Sequence, residues 1–281
     1  MSDHDNNRYE FYAAQYARFG SRLAAEIRLA AYGEDFGQQG WRGLAEQKEI
    51  TALINQRPHA NVLDIACGSG GPSLAFVAAT SCKLTGIDIE AAGISQATSH
   101  AAAVGLADRA VFKVADCSAR LPFDDVTFDV VVCIDAILHL KDRVASLKDW
   151  CRVLKPGGSV IFSDAAILTG AVSKQELDIR ASQGAFVFVP PGINEKAVAQ
   201  TQLRLVKQRD TTGEMANIAS RLLTTREARA QDLMNEEGRE WYEQRQRFLT
   251  ITAQLAAEGR LSRQFYLAEK PLWPRATDHS L

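Results

Sequence analysis

From residue 60 onward the chain repeats one unit, a short and almost wholly apolar run followed by a helical pattern. NVLDI, KLTGIDI, AVFKVAD, FDVVVCI and GSVIFSD are the apolar runs. A strand that is apolar at successive positions has both faces covered, and intervening helices make the strands parallel. Right-handed crossovers then wind the sheet in both directions. After Asp164 the pattern loosens through AILTG…FVFVPPG, where Pro190-Pro191-Gly192 marks a loop. A short helix is read over Glu195 to Thr201 and a strand over RLVKQRD. Two helices follow, one from Thr225 to Glu237 and one carrying Trp241, Phe248, Ile251 and Leu255, and SRQFYLAEK reads as the last strand. Upstream, Lys155-Pro156-Gly157-Gly158 is read as ending the helix that carries Trp150 and Leu154.

The first 57 residues read as helical, with Tyr9, Tyr12, Tyr16 and Phe19 in one stripe and a second helix from Leu44 to Ile54. The expected fold is therefore α/β: a doubly wound, mostly parallel seven-stranded sheet. A helical N-terminal cap covers residues 1–57, and the core covers 58–281. Substrate-side insertions are expected at about 165–194 and 213–260, the second before the last strand.

A net charge of −2 over 281 residues gives no electrostatic reason to bind nucleic acid or an anionic membrane. The five cysteines form no CxxC pair and no Cys/His cluster, so neither a disulfide framework nor a metal site is expected. The polar, acidic start MSDHDNN predicts no signal peptide, and no apolar run approaches the roughly 18 residues of a membrane span. The expectation is a cytoplasmic protein.

The run VLDIACGSGG, residues 62–71, carries the most chemical information. A buried strand ends at Asp64, and Gly68, Gly70 and Gly71 turn the chain into a helix. Glycines there let a ligand approach the backbone and allow positive φ. A pyrophosphate site prefers GxGxxG over a helix N-terminus. This loop reads DxACGxGG, and its preceding acid suits an ammonium-bearing ligand instead. Asp88 ends the second strand, 88 − 64 = 24 residues further on, where a carboxylate can accept from both hydroxyls of a ribose.

These runs, taken with VADCSARLPF, FDVVVCIDAILHL and RVLKPGGSVIFSD, resemble the class I S-adenosylmethionine (SAM)-dependent methyltransferases. The motifs occur in family order over roughly residues 60–165. Ala66 stands where the family often has the first glycine of its loop. The resemblance implies SAM as cofactor and S-adenosylhomocysteine as its product. It implies Gly68 and Gly70 against the methionine and ribose parts, with Asp64 and Ala66 nearby. It further implies Asp88 on the ribose, Ile89 on the adenine, and Asp116 and the Cys117 backbone on the adenine edge. Ile134 would border the sulfonium end, and Gln38 and Trp41 would close the site from the cap, core packing being the alternative for Trp41.

Methyl transfer disperses charge, so alignment and exclusion of water account for much of its rate. An acceptor hydroxyl or ammonium must also lose a proton, which calls for a base. Of five histidines only His139 lies beside a ligand-facing strand end, and Asp164 ends the neighbouring strand where it can orient the imidazole. The other reading has His139 starting a helix and Asp164 capping a segment. Asp135 is placed to bind a cationic substrate, and Phe186, Phe188 and Trp241 to wall an apolar one. The expected function is methyl transfer to an O or N atom of a small molecule. Three alternatives stand beside it: a non-catalytic SAM-binding regulatory or assembly protein, a C- or lipid methyltransferase, and a nicotinamide-dependent oxidoreductase. Neither insertion shows a readable acceptor motif, and a homo-oligomer is as compatible with the sequence as a monomer.

Overall fold

The computed structural model describes residue 16, residues 20–182 and residues 186–272. Tyr9, Tyr12 and Phe19 of the aromatic stripe lie outside the described residues, and Tyr16 is buried. The first elements given among the described residues are α1 (Arg22–Tyr32) and α2 (Leu44–Asn55). Ser21 starts α1 by accepting from the Ala24 amide at 3.0 Å, and Gly33 ends it in the left-handed region.

The core then alternates as its sequence demands: β1 (Asn61–Ile65), α3 (Gly71–Ala79), β2 (Lys83–Asp88), α4 (Ala91–Ala103), β3 (Ala110–Val114), β4 (Phe128–Cys133), α5 (Arg143–Val153) and β5 (Leu154–Leu168). A 3₁₀ turn, Ile137–His139, bridges β4 and α5. Beyond it come α6 (Lys174–Arg180), α7 (Ile193–Ala199), β6 (Arg204–Asp210), α8 (Thr212–Ala228), α9 (Ala230–Glu237), α10 (Arg239–Ala257) and β7 (Leu261–Glu269).

The seven strands form one sheet in the order β3-β2-β1-β4-β5-β7-β6. Contacts from β3 through β5 are parallel, while β7 runs antiparallel to both β5 and β6. Alternate residues of the central strands feed two cores. Leu63, Ile65, Val131 and Cys133 pack with Trp150 and Leu147 of α5, while Val62, Val130 and Val132 pack with Ile50, Phe76 and Ala97 from α2, α3 and α4. This two-sided burial is why β1 and β4 read as continuous apolar runs. A third core joins Leu23 and Ile27 of α1 to Met215, Ile218 and Leu222 of α8 and Leu249 of α10. The first helix and the second insertion thus share one apolar layer above the sheet.

Three expectations need correction. The insertion before β7 holds three helices: the helix expected from Thr225 begins at Thr212 and breaks at Arg229. The helix carrying Trp150 ends at Val153, and Leu154 opens β5 by pairing with Phe128, ahead of a register shift. The short helix read over Glu195 to Thr201 is Ile193–Ala199.

Candidate functional site

A cavity of about 220 Å³ opens over the carboxyl ends of β1, β2 and β4, where an open α/β sheet places its ligands. Its walls include Ala66–Ser69, Asp88–Glu90, Asp116–Ser118 and Ile134–Ala136 from the sheet side. Gly37–Arg42 of the N-terminal segment, Arg180 and Phe186 of the first insertion, and Arg245 and Phe248 of α10 complete it.

The glycine loop is shaped for close approach. A side chain at Gly68, where φ is +57°, would bring its Cβ within 2.9 Å of the Tyr16 hydroxyl. At Gly71 a Cβ would fall 1.8 Å from the Phe36 carbonyl oxygen, so only glycine lets the N-terminal segment lie against the start of α3. Ala66 itself has φ +56°, and Asp135, at the end of β4, has φ +54°. Two non-glycine residues in the left-handed region, both on the cavity wall, mark backbone held in place by its surroundings.

Asp88 is 7% exposed on the wall, and its two carboxylate oxygens accept from the Gly68 amide at 2.8 Å and the Glu90 amide at 2.9 Å. The carboxylate therefore fixes the glycine loop against the end of β2. Asp116 lies at the exposed rim, where one of its oxygens accepts from the Ser118 amide and hydroxyl. Ile89, Cys117 and Ile134 are half-buried lining residues. Gln38 and Trp41 also line the cavity. Gln38 uses its amide to fold its own loop, accepting from the Phe36 amide and donating to the Glu34 carbonyl, both at 2.7 Å. Trp41 stacks on Phe248 with centroids 6.1 Å apart.

Five expected site residues lie off this wall. Asp64 is buried behind the loop and accepts from the Ser73 hydroxyl. Burial pushes its carboxyl up to about 6, against the opposing pull of Arg42 and of Ser73. Gly70 forms the N-cap of α3, with Ala97 and Phe112 beside it. Phe188 packs edge-on against Phe186 rather than lining the cavity, and Trp241 lines a second, adjoining hollow with Gln38, Gln39 and Arg245.

Asp164, expected to orient His139, is fully buried and committed elsewhere. It accepts from Arg143, from the Asn194 amide at 2.8 Å, and from the Ala166 backbone at 3.0 Å, bracing the shift in β5–β7 register there. Arg143 also donates to the Val187 carbonyl at 3.0 Å. The aspartate thus anchors the loop that carries Phe186. His139 does line the cavity, on its 3₁₀ turn, with its ring 5.1 Å from that of Phe186.

Asp135 is likewise occupied. Its carboxylate accepts from Arg263 Nε at 2.7 Å, the Trp41 amide at 2.7 Å and the Ser163 hydroxyl at 2.9 Å. Arg263 is fully buried and makes a second, bidentate pair with Glu46 of α2 at 2.6 and 2.8 Å. Burial alone would raise the Asp135 carboxyl, but the Arg263 charge overcomes it and holds it below the usual carboxylate range. A cationic substrate would have to compete with that guanidinium, so the expected role of Asp135 gives way to a structural one.

Sequence reasoning missed the arginines. Arg42 lines the cavity, and its Nη1 has no hydrogen-bond partner among the described residues. Arg180, 1% exposed, sits between the rings of Phe186 and Phe248, each at 4.8 Å, and Trp41 at 5.9 Å. A signal was available for Arg263: it shares a strand face with Leu261, Phe265 and Leu267, so it had to point into a core. No group of three or more histidine, cysteine or acidic residues among the described residues is arranged to hold a metal, and no described helix is long and apolar enough to cross a membrane.

Residues 62–158 match the family model described as a methyltransferase domain. Phosphoethanolamine N-methyltransferase 3 of Arabidopsis thaliana is 37% identical over 133 residues, 47% of this chain and 26% of that protein. A sterol 24-C-methyltransferase of Gibberella zeae is 36% identical over 129 residues, 46% of this chain and 33% of that one. The chain thus spans about a quarter to a third of the length of these curated relatives. Among solved structures, Haemonchus contortus phosphoethanolamine N-methyltransferase 2, in complex with phosphomonomethylethanolamine and S-adenosylhomocysteine, superposes with a TM-score of 0.76. At 19% identity, over 92% of this chain and 60% of that one, it shows a shared fold.

Proposed function

Starting from a chain whose residues 62–158 form a methyltransferase domain of the class I type, we propose that it transfers a methyl group from SAM to an O or N atom of a small-molecule acceptor. The observation that carries this reading is the convergence of the glycine loop, Asp88, Asp116 and Ile134 on one cavity with His139. The residues fit the cofactor: a loop stripped of side chains at Gly68, an aspartate at the end of β2, and a guanidinium nitrogen of Arg42 without a protein acceptor among the described residues.

When bound there, SAM supplies a methyl group on a sulfonium that any aligned nucleophile can take. Gly68 and its neighbours admit the methionine part, and Arg42 holds the carboxylate. Asp88 accepts from the ribose hydroxyls while its bonds to Gly68 and Glu90 keep it in place. Ile89 packs on the adenine, and Asp116 and the Cys117 backbone read its edge. Ile134 borders the reacting end. Trp41, Phe186 and Phe248 line the cavity with apolar rings, a wall suited to an in-line displacement that needs alignment more than charge stabilisation. His139 accepts the acceptor's proton as general base, without Asp164, whose carboxylate serves Arg143 and Asn194.

The direct test is calorimetric titration with SAM and with S-adenosylhomocysteine. Binding of both near micromolar, about −8 kcal/mol, supports the reading and justifies screening acceptors by release of the homocysteine product. A folded sample giving no heat with either ligand removes it.

A further inference from the structure

We propose that Asp135 is a positioning residue for the cofactor: it accepts from the Trp41 amide across Gly40 and so sets where Arg42 meets the cofactor's carboxylate. The proposal rests on the reading of this cavity as a SAM site. Asp135 Oδ2 lies 2.7 Å from the Trp41 nitrogen. The carbonyl of the same peptide group, that of Gly40, accepts from the Tyr32 hydroxyl at 2.7 Å. One peptide is therefore gripped from both edges, by the last residue of α1 and by the residue just past β4. Arg42 follows it directly, and Gly43 then caps α2. The backbone of Arg42 is thus fixed on both flanks.

The grip depends on a close approach. A Cβ at Gly40 would fall 2.6 Å from Asp135 Oδ2 and 3.2 Å from its Cβ, so glycine is what lets the carboxylate reach the amide. The carboxylate is itself tied down. Arg263 donates to Oδ1 at 2.7 Å and to Oδ2 at 3.2 Å, and the Ser163 hydroxyl donates to Oδ1 at 2.9 Å. These bonds also sustain the positive φ of Asp135, +54°. Arg42 lines the cavity with its guanidinium 5.4 Å from the Phe76 centroid, and its buried Nη1 has no hydrogen-bond partner among the described residues. A guanidinium pairs strongly with a carboxylate only in the right geometry, so the placing of its backbone decides the contact.

The test titrates the full chain calorimetrically with S-adenosylhomocysteine and with methylthioadenosine, which keeps the nucleoside and the sulfur but lacks the amino-acid carboxylate. Gly40→Ala changes no charge and leaves the Asp135–Arg263 pair in place, while its methyl group parts Trp41 from Asp135. It is expected to weaken S-adenosylhomocysteine about tenfold, one charge-assisted contact's worth, and methylthioadenosine not at all. Arg42→Met should show the same selectivity, and adding Gly40→Ala to it should cost nothing more, because both act on one contact. Should Gly40→Ala fail to fold, Asp135→Asn carries the same test: asparagine tolerates positive φ, but its single oxygen cannot serve both Trp41 and Arg263. The proposal is overturned if the variant binds S-adenosylhomocysteine as the wild type does, if it weakens both ligands equally, or if its loss adds in full to that of Arg42→Met. A wild-type chain that binds both ligands alike overturns it too, since Arg42 then holds no carboxylate. A folded wild-type chain that binds neither ligand overturns the cofactor reading itself, and this proposal with it.

Discussion

Replacing Arg263 by methionine should cost the protein about 3–5 kcal/mol of stability at neutral pH. The figure follows from what the guanidinium neutralises. Arg263 and Glu46 side chains are fully buried and the Asp135 side chain is 7% exposed, so the substitution leaves two largely buried carboxylates without their common counter-charge. Methionine fills much of the volume, so little of the loss comes from a cavity. The pH dependence separates this account from simple misfit. In the wild type, Asp135 titrates below its usual range, so its contribution is present above the unfolded value near 3.8 and is lost as pH falls through the depressed folded value. In the variant both carboxylates are easier to bury protonated, so stability rises on acidification. The gap between the two proteins should therefore be widest near pH 7 and narrow steadily below about pH 5. Urea unfolding followed by circular dichroism across that range measures it. A loss under about 1 kcal/mol, or a gap independent of pH, would refute the argument that charge compensation holds α2, β4 and β7 together.

Three further outcomes are expected. Asp64→Asn should stabilise the protein at pH 7 by up to about 3 kcal/mol, because a carboxyl raised to about 6 favours folding below 3.8 and loses that advantage as pH climbs through 6; an unchanged stability–pH slope between 4 and 6 would contradict the burial. Asp88→Ala should weaken SAM binding at least about tenfold in calorimetry, since it loses a ribose acceptor and frees the Gly68 and Glu90 amides; equal affinity would remove Asp88 from the cofactor site. His139→Ala should lower turnover by about a hundredfold or more while leaving S-adenosylhomocysteine affinity intact, and unchanged turnover at saturating acceptor would strike His139 from the mechanism.

The wall of the cavity built by the sheet was legible because its residues are local in sequence. A loop and two strand ends are contiguous in sequence, and the strands announce themselves by two-sided burial, as Val130 and Val131 do by pointing into different cores. The wall supplied by the insertions was not legible, because its residues are joined only by packing. Arg180 and Arg245 lie on helices where arginine ordinarily faces solvent, and nothing in LDIR or EQRQR betrays the rings waiting for them. Asp135 and Asp164 illustrate the converse error. Asp135 follows the end of β4 as read, whereas Asp164, read as ending its strand, lies inside β5, which runs on to Leu168; their partners Arg263 and Arg143 lie 128 and 21 residues away in the chain. The early start of α8 was hidden by Gly213, which reads as a breaker but here has no backbone need for glycine.

The position of β7 has a consequence for how the molecule is made. It comes after the other six strands in sequence yet lies inside the sheet, and among the described residues it is the one sheet neighbour of β6. During synthesis from the N-terminus, β6 therefore emerges with nothing to pair against, and β5 keeps a bare edge. Asp135 and Glu46 wait equally long for Arg263. The three insertion helices between β6 and β7 can form beforehand, but they are not pinned until β7 slots home. A nascent chain halted near residue 260 would thus hold a nearly complete cofactor-side sheet with a sticky edge, vulnerable to association with its own copies until the final strand is released.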